Sequence, residues 1–296
     1  MDAAILRAWL SGESVGRERA VNIPSLAGCL NKIAGTVAAV PIRMYKRETN
    51  RITEVLDDNR IVLLNSETGD TLDAYQMKRA VILDYFLGRG GYIFIDKVKN
   101  EIRSLRYVSE KNISFNENPD VIFKDYDILV QGNTYKPYQF IRLLRNTEDG
   151  AKGKSIIEEN ERVLRVAYNS LKFEETLVST GGNKKGFIKS PRKLSQAAID
   201  ALKEAWRNLY SNNTESVVIL NEGLDFQEAS NTSVEMQLNE NKKTNGDEIC
   251  KVMGIPPSLL NGNGGEQDEK NFIKYELSNL LAEFRTALNR AMLLES

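Results

Sequence analysis

The chain has 296 residues, with 40 basic against 41 acidic side chains and a net charge of −1. That balance argues against a free-standing DNA-binding protein, which carries a basic excess, but not against one past which DNA slides, where tight phosphate binding is a handicap. Histidine is absent, which removes Ser-His and Cys-His nucleophiles and the commonest metal ligand; Cys29 and Cys250 have no CxxC partner, so no zinc site is expected and both read as reduced core residues.

Residues 1–20 read as helix-like and mixed in charge, a mobile arm. From Ser25, the residues Leu26, Leu30, Ile33, Ala34, Val37 and Ala38 fall on one helical face, with Pro24-Ser25 as start and Pro41 as stop. The stretch from Leu26 to Ile42 is the most apolar, but Asn31 and Lys32 interrupt it, and it is too short and polar to span a bilayer; no signal peptide is visible. Ile42-Arg43-Met44-Tyr45 alternates like a strand. Asp70 and Thr71 can cap a second helix, striped by Leu72, Tyr75, Ile82, Leu83 and Phe86 and ended by Gly88. Gly90-Gly91 then turns the chain into a strand from Tyr92 to Asp96, and residues 100–145 read as short strands with turns at Asn118-Pro119 and Gly132-Asn133.

Ser155 begins a different style. Ile156, Val163, Leu164, Ala167, Leu171 and Val178 recur at helical spacing to Ser179, a helix of roughly 37 Å, which Gly181-Gly182 ends. A β-α-β unit follows, with a strand at Gly186-Phe187-Ile188 and a helix capped by Ser195. Its second strand begins over Ser216 to Leu220 and leads through Glu222-Gly223 to an extended Leu224-Asp225-Phe226. A second long helix spans Ser233 to Met253 with a thin stripe (Val234, Leu238, Ile249, Val252), stopped by Gly254-Ile255-Pro256-Pro257. Asn261-Gly262-Asn263-Gly264-Gly265 reads as a flexible loop. A last helix begins near Asp268, with Leu277, Leu280, Leu281, Phe284 and Leu288 inward.

One segment suggests chemistry. Gly150-Ala151-Lys152-Gly153-Lys154-Ser155 runs into a helix, as a phosphate-binding loop does, with Lys154 to neutralise phosphate and Ser155 to hold magnesium. Position 148, where that motif needs glycine, is Glu148, and Asp149 follows; two carboxylates beside a triphosphate repel it. The alternative is that Ser155 simply caps the helix. Lys184, Lys185, Lys189, Arg192 and Lys193 form a basic cluster, either a solvated face or a partner-facing patch. Glu158-Glu159 and Glu174-Glu175 are helix neighbours that diverge in direction, and read as surface charge rather than acid/base pairs.

Five segments in order resemble the portal proteins of tailed double-stranded-DNA bacteriophages, of the siphovirus type. They are Ser25 through Ile42; Leu63-Leu64-Asn65; the helix to Leu87 followed by Gly88-Arg89-Gly90-Gly91-Tyr92-Ile93; Asp149 through Ser155; and Gly254-Ile255-Pro256-Pro257-Ser258-Leu259-Leu260, the most specific. The chain departs from the family's Gly-Asn-Ala-Tyr at Gly90-Gly91-Tyr92, lacks a His near Ile141-Arg142, and has Ile156 where a Pro usually follows the Ser.

The resemblance implies an α+β portal fold: a mixed α/β wing (1–154), stem helices (155–180 and 232–254), a small β-α-β clip (181–231), a tunnel loop region (255–270) and a C-terminal helical crown region (271–296) that looks truncated. It implies a non-enzymatic subunit without cofactor or metal, in a homo-oligomeric ring of twelve at the capsid portal vertex of the virion, assembled in the host cytoplasm. Its partners would be double-stranded DNA without sequence specificity, the terminase large subunit, a head–tail adaptor, and the major capsid and scaffold proteins, with no membrane. Asn261, Asn263, Gly264, Gly265 and Lys270 would face DNA from the tunnel loop, which spans 261–270. Lys242, Lys243 and Lys251 would line the channel, and the basic cluster at 184–193 would face clip partners. The partial apolar stripes of the stem helices suit this, since they ask for neighbours in a ring. A nucleotide hydrolase using Lys154 and Ser155, and a monomeric adaptor or scaffold, are the rival readings.

Overall fold

The computed structural model describes residues 14–49, 51–120, 122–179, 186–189, 195–201, 204, 225–228 and 232–293, and for 177, 179, 186–189, 225–228 and 232–239 the backbone path alone. The chain divides into two units. The larger combines Ser14–Arg165 with Gly246–Ser296, and the other contains Val166–Asn245.

In the larger unit a one-turn helix, α1 (Arg17–Ala20), leads into α2 (Pro24–Ala39), whose first position carries Pro, where an N–H would find no acceptor within the helix. Every residue of the expected stripe on α2 is buried. The expectation of a mobile arm fails for residues 14–20: Val15 and Ala20 are buried, and Arg17 is ion-paired to Asp84 at 2.5 Å. Residues 1–13 lie outside the described residues. A ribbon of β1 (Met44–Glu48) and β2 (Arg51–Val55) follows, then α3 (Asn59–Asn65) and α4 (Ala74–Leu87). The cap of α4 is Asp73, not Asp70 or Thr71: its side chain accepts the Gln76 N–H at 2.7 Å.

Two antiparallel sheets build the centre. The first has the order β4 (Glu101–Val108), β3 (Gly91–Val98), β8 (Phe140–Leu143); the second runs β5 (Ile113–Glu117), β6 (Tyr126–Val130), β7 (Asn133–Tyr135). Period-2 alternation sends Tyr92 and Phe94 of β3 to one face, where they join Ile113, Ile128 and Phe140 in an apolar layer between the sheets. Aromatic edges interlock there: Phe94 meets Phe140 at 5.4 Å and Tyr135 at 5.3 Å between ring centroids. The opposite face of β3 carries Gly91, Ile93 and Ile95 towards α4, which in turn packs on α2.

Because α4 is covered by the sheet on one side and by α2 on another, its burial is wider than one stripe. Met77, Lys78, Val81, Asp84 and Tyr85 are buried along with the expected Ile82 and Phe86, whereas the expected Tyr75 is exposed. Lys78 donates to the Val40 carbonyl at 3.2 Å, at the C-terminal end of α2 where a cation suits the helix dipole, and burial lowers its pKa.

A capping box opens the next segment: Ser155 Oγ accepts the Glu158 N–H at 3.1 Å, and Glu158 accepts the Ser155 N–H at 3.2 Å. The long helix expected from Ser155 is broken. α5 (Ile156–Glu159) stops at Asn160, and α6 (Glu161–Ser179) restarts after it. The second long helix, α7, runs Thr232–Val252. The chain passes between the units inside α6 and inside α7. In the Val166–Asn245 unit, Lys242 of α7 pairs with Glu174 of α6 at 2.7 Å. There β9 (Gly186–Lys189) pairs antiparallel with β10 (Asp225–Glu228), and residues 196–201 are helical with Ser195 as cap. The expected strand start at 216–220 lies outside the described residues.

After α8 (Pro257–Leu260), α9 (Glu266–Phe272), a π-helical turn at Ile273–Leu277 and α10 (Ser278–Ala291) form one continuous helical run. Leu277, Leu280, Phe284 and Leu288 are buried, and α10 packs on β8.

Candidate functional site

The Gly-Lys-Ser turn has the sequence spacing of an anion cradle and a different geometry. The backbone N–H groups of Ala151 and Lys152 point inward, as they would to a phosphate, but Asp149 Oδ1 takes both, at 2.8 and 3.1 Å. Burial pushes the Asp149 carboxyl up, yet these N–H bonds outweigh it and hold its pKa below the usual range. The next two N–H groups are also spent: Gly153 donates to the Arg89 carbonyl at 2.6 Å and Lys154 to the Arg145 carbonyl at 2.8 Å. A Cβ at Gly153 would lie 2.6 Å from that Arg145 oxygen, so glycine serves close backbone approach here. Lys154 is ion-paired with Glu148, and Ser155 is buried in its capping box. Every group a phosphate would need already has a partner in the fold.

The stretch 261–270 is loop for only half its length. Asn261, Asn263, Gly264 and Gly265 are exposed, but the helix begins at Glu266, so Lys270 stands on α9 and pairs with Glu266 one turn back at 2.6 Å. The loop itself is closed by short-range bonds: Ser258 Oγ donates to Asp268 at 2.6 Å, and Asn263 N–H donates to the Ser258 carbonyl at 3.0 Å. Runs of Asn and Gly remove regular secondary-structure preference, and here a side-chain clasp supplies the order that the backbone lacks.

Of the expected channel residues, Lys242, Lys243 and Lys251 are all exposed. The described residues place them along α7, with Lys242 neutralised by Glu174. Lys184, Lys185, Arg192 and Lys193 lie outside the described residues, and Lys189 falls on β9, where the backbone alone is described. Among the described residues no cluster of acidic or cysteine side chains could hold a metal ion, and no helix is long and apolar enough to cross a membrane.

A second polar cluster escaped the sequence reading. On the C-terminal run, Glu283 accepts the Tyr85 hydroxyl at 2.8 Å, and Glu276 packs against Gly254, whose φ is +65°. Burial raises the pKa of both glutamates, opposed by the nearby Arg145 and, at Glu283, by bonds from Tyr85 and the Leu144 N–H. A carboxyl whose folded pKa is raised contributes stability that is present below its unfolded pKa of about 4.3 and is lost as pH rises through the folded value. The packing of α10 on β8 is therefore expected to weaken as pH rises through that window. Glu283→Gln should flatten the pH dependence of hydrogen exchange in residues 278–291; an unchanged profile would refute this.

A model of the family described as phage portal protein matches residues 24–296. A probable portal protein of Streptomyces phage phiC31 is 20% identical, over 97% of this chain and 67% of that one. The crystal structure of an HK97-family phage portal protein from Corynebacterium diphtheriae aligns with a TM-score of 0.65 at 13% identity, covering 94% of this chain and 91% of that one. The neck of a native gene transfer agent particle, computed with C12 symmetry, aligns with a TM-score of 0.59 at 18% identity, covering 98% and 79%. At these identities the structural likenesses speak for the fold.

Proposed function

From the premise that the chain belongs to the phage portal protein family, we propose that identical copies of this portal subunit close into a ring around a channel for double-stranded DNA at one vertex of the capsid. The observation that carries this reading is the family match from residue 24 to 296, on a fold in which the chain enters and leaves the Val166–Asn245 segment inside the long helices α6 and α7. The C12 symmetry of the gene transfer agent neck supports a ring, and twelve copies is our proposal for the virion.

In this reading residues 1–154 are the wing, 155–180 and 232–254 the stem, 181–231 the clip, 255–270 the tunnel region and 271–296 the crown side. Lys242, Lys243 and Lys251 line the channel, and the 261–265 loop, with Lys270 behind it on α9, faces DNA. The clip, with Lys184, Lys185, Lys189, Arg192 and Lys193, docks the terminase large subunit during packaging and a head–tail adaptor afterwards. Capsid and scaffold proteins contact the ring during assembly in the host cytoplasm. Mixed charge, such as the Lys242–Glu174 pair, suits a wall that must let DNA move, since each strong phosphate contact adds to the hold. The subunit itself catalyses nothing; motion is driven from outside it.

Negative-stain electron microscopy of the purified chain tests this. Rings with a central hole are expected, and a persistent monomer at high concentration would count for an adaptor instead. In the same preparation Mg-ATP should not bind, and Lys154→Ala should change neither ring formation nor melting temperature. Nucleotide binding abolished by that substitution would restore the hydrolase reading.

A further inference from the structure

The two cysteines, 221 residues apart in sequence, meet in the core of the larger unit: the Cys29 thiol faces Cys250 Sγ at 4.0 Å. Both are buried and free. The contact joins α2 to the C-terminal part of α7, beside small residues. Ser25 and Cys29 stand one turn apart on α2, and Gly246 and Cys250 one turn apart on α7. A Cβ added at Gly246 would lie 3.0 Å from Ser25 Oγ, so the glycine leaves room for that side chain. On the same face of α2, Gly28 lies against Leu260. From 4.0 Å the sulfurs need approach by only about 2 Å to reach bonding distance.

We propose that Cys29 and Cys250 form a redox-sensitive disulfide site that staples the C-terminal end of α7 to α2 when the protein meets a hydroperoxide. The chemistry balances in two steps. One thiol sulfur takes an oxygen from the hydroperoxide, giving a sulfenic acid and water or an alcohol; the second sulfur then attacks it, forming the S–S bond and releasing water with the thiol proton. Burial raises the pKa of both thiols, so they react slowly as thiols, and the enclosed site admits a small oxidant while excluding bulky disulfides such as oxidised glutathione. The dithiol is thus the form for a reducing compartment and the disulfide the form for an oxidising one. The proposal does not depend on the portal reading.

The experiment treats the folded full-length chain with hydrogen peroxide and maps its peptides without reduction. A Cys29–Cys250 linked peptide is expected, reversed by dithiothreitol. Closing so long a loop should raise the melting temperature by about 5 °C or more, a gain that Cys29→Ala and Cys250→Ala each abolish. If peroxide yields only sulfinic acid or intermolecular links while circular dichroism shows the chain still folded, or if the linked peptide forms only in denaturant, the proposal is overturned. The peptide map of the unsubstituted protein decides this even if a variant fails to fold.

Discussion

Asp84→Ala is expected to destabilise the larger unit by about 3–5 kcal/mol, the cost of breaking a buried ion pair from one side. Asp84 is fully buried in α4, and three donors converge on its carboxylate: Arg17 Nη2 at 2.5 Å, the Tyr107 hydroxyl at 2.7 Å and the Glu110 N–H at 3.1 Å. These come from α1, from β4 and from the turn after β4, so one side chain ties three chain segments to the helix between them. Burial, with Asp84 beside it, pushes the Tyr107 hydroxyl pKa up to about 12, so at neutral pH it donates. Removing the carboxylate strands the Tyr107 hydroxyl, a backbone N–H and a guanidinium whose side chain is only 28% exposed. Arg17→Ala should cost less, because Asp84 keeps two donors. The double variant should be more stable than the sum of the single losses predicts, since no charge is left unpaired. Thermal melts of the three variants check this; strict additivity would mean that the pair is not coupled.

The sequence marked Asp84 only faintly. It stands in the run Val81-Ile82-Leu83-Asp84-Tyr85-Phe86-Leu87, where a lone charge among apolar residues signals a buried ion, but its partners are 67, 23 and 26 residues away and no local pattern names them. The helices were more legible, because a 3.6-residue stripe is a local property: all six apolar positions read for α2 are buried. Local reading failed where the environment is two-sided, as on α4, and where one residue leaves the helical backbone conformation inside an otherwise periodic stretch, as Asn160 does with φ −122° and ψ 31°. At the Gly-Lys-Ser turn the spacing could suggest a cradle, and Glu148 and Asp149 already argued against phosphate. What spacing could not show is that Asp149 itself fills the place of the anion. The tunnel and clip residues are harder still, since their roles are defined by neighbours in an assembly and not by contacts within one chain.

Gly91→Ala is the other substitution expected to have a large effect. A Cβ built at Gly91 would lie 2.3 Å from the Val81 carbonyl oxygen and 2.6 Å from Val81 Cγ1. The first of these neighbours is helix backbone, which cannot rotate away as a side-chain tip can. Here β3 is central to its sheet, paired to β4 and β8 on either side, and its other face is fixed by Tyr92 and Phe94 in the aromatic layer. The strand can therefore retreat from α4 only by compressing that layer, and the helix can retreat only by lifting off with α2. Overpacking of this kind costs about 1–3 kcal/mol where side chains give way, and more where backbone must move. We expect a loss of about 3 kcal/mol, read as a lower denaturation midpoint in urea with an unchanged slope. A second substitution separates the cause: Val81→Ala, made in the Gly91→Ala background, removes the Cγ1 contact but not the carbonyl contact. It should therefore recover little of the loss if the backbone clash dominates, and most of it if the side chain does.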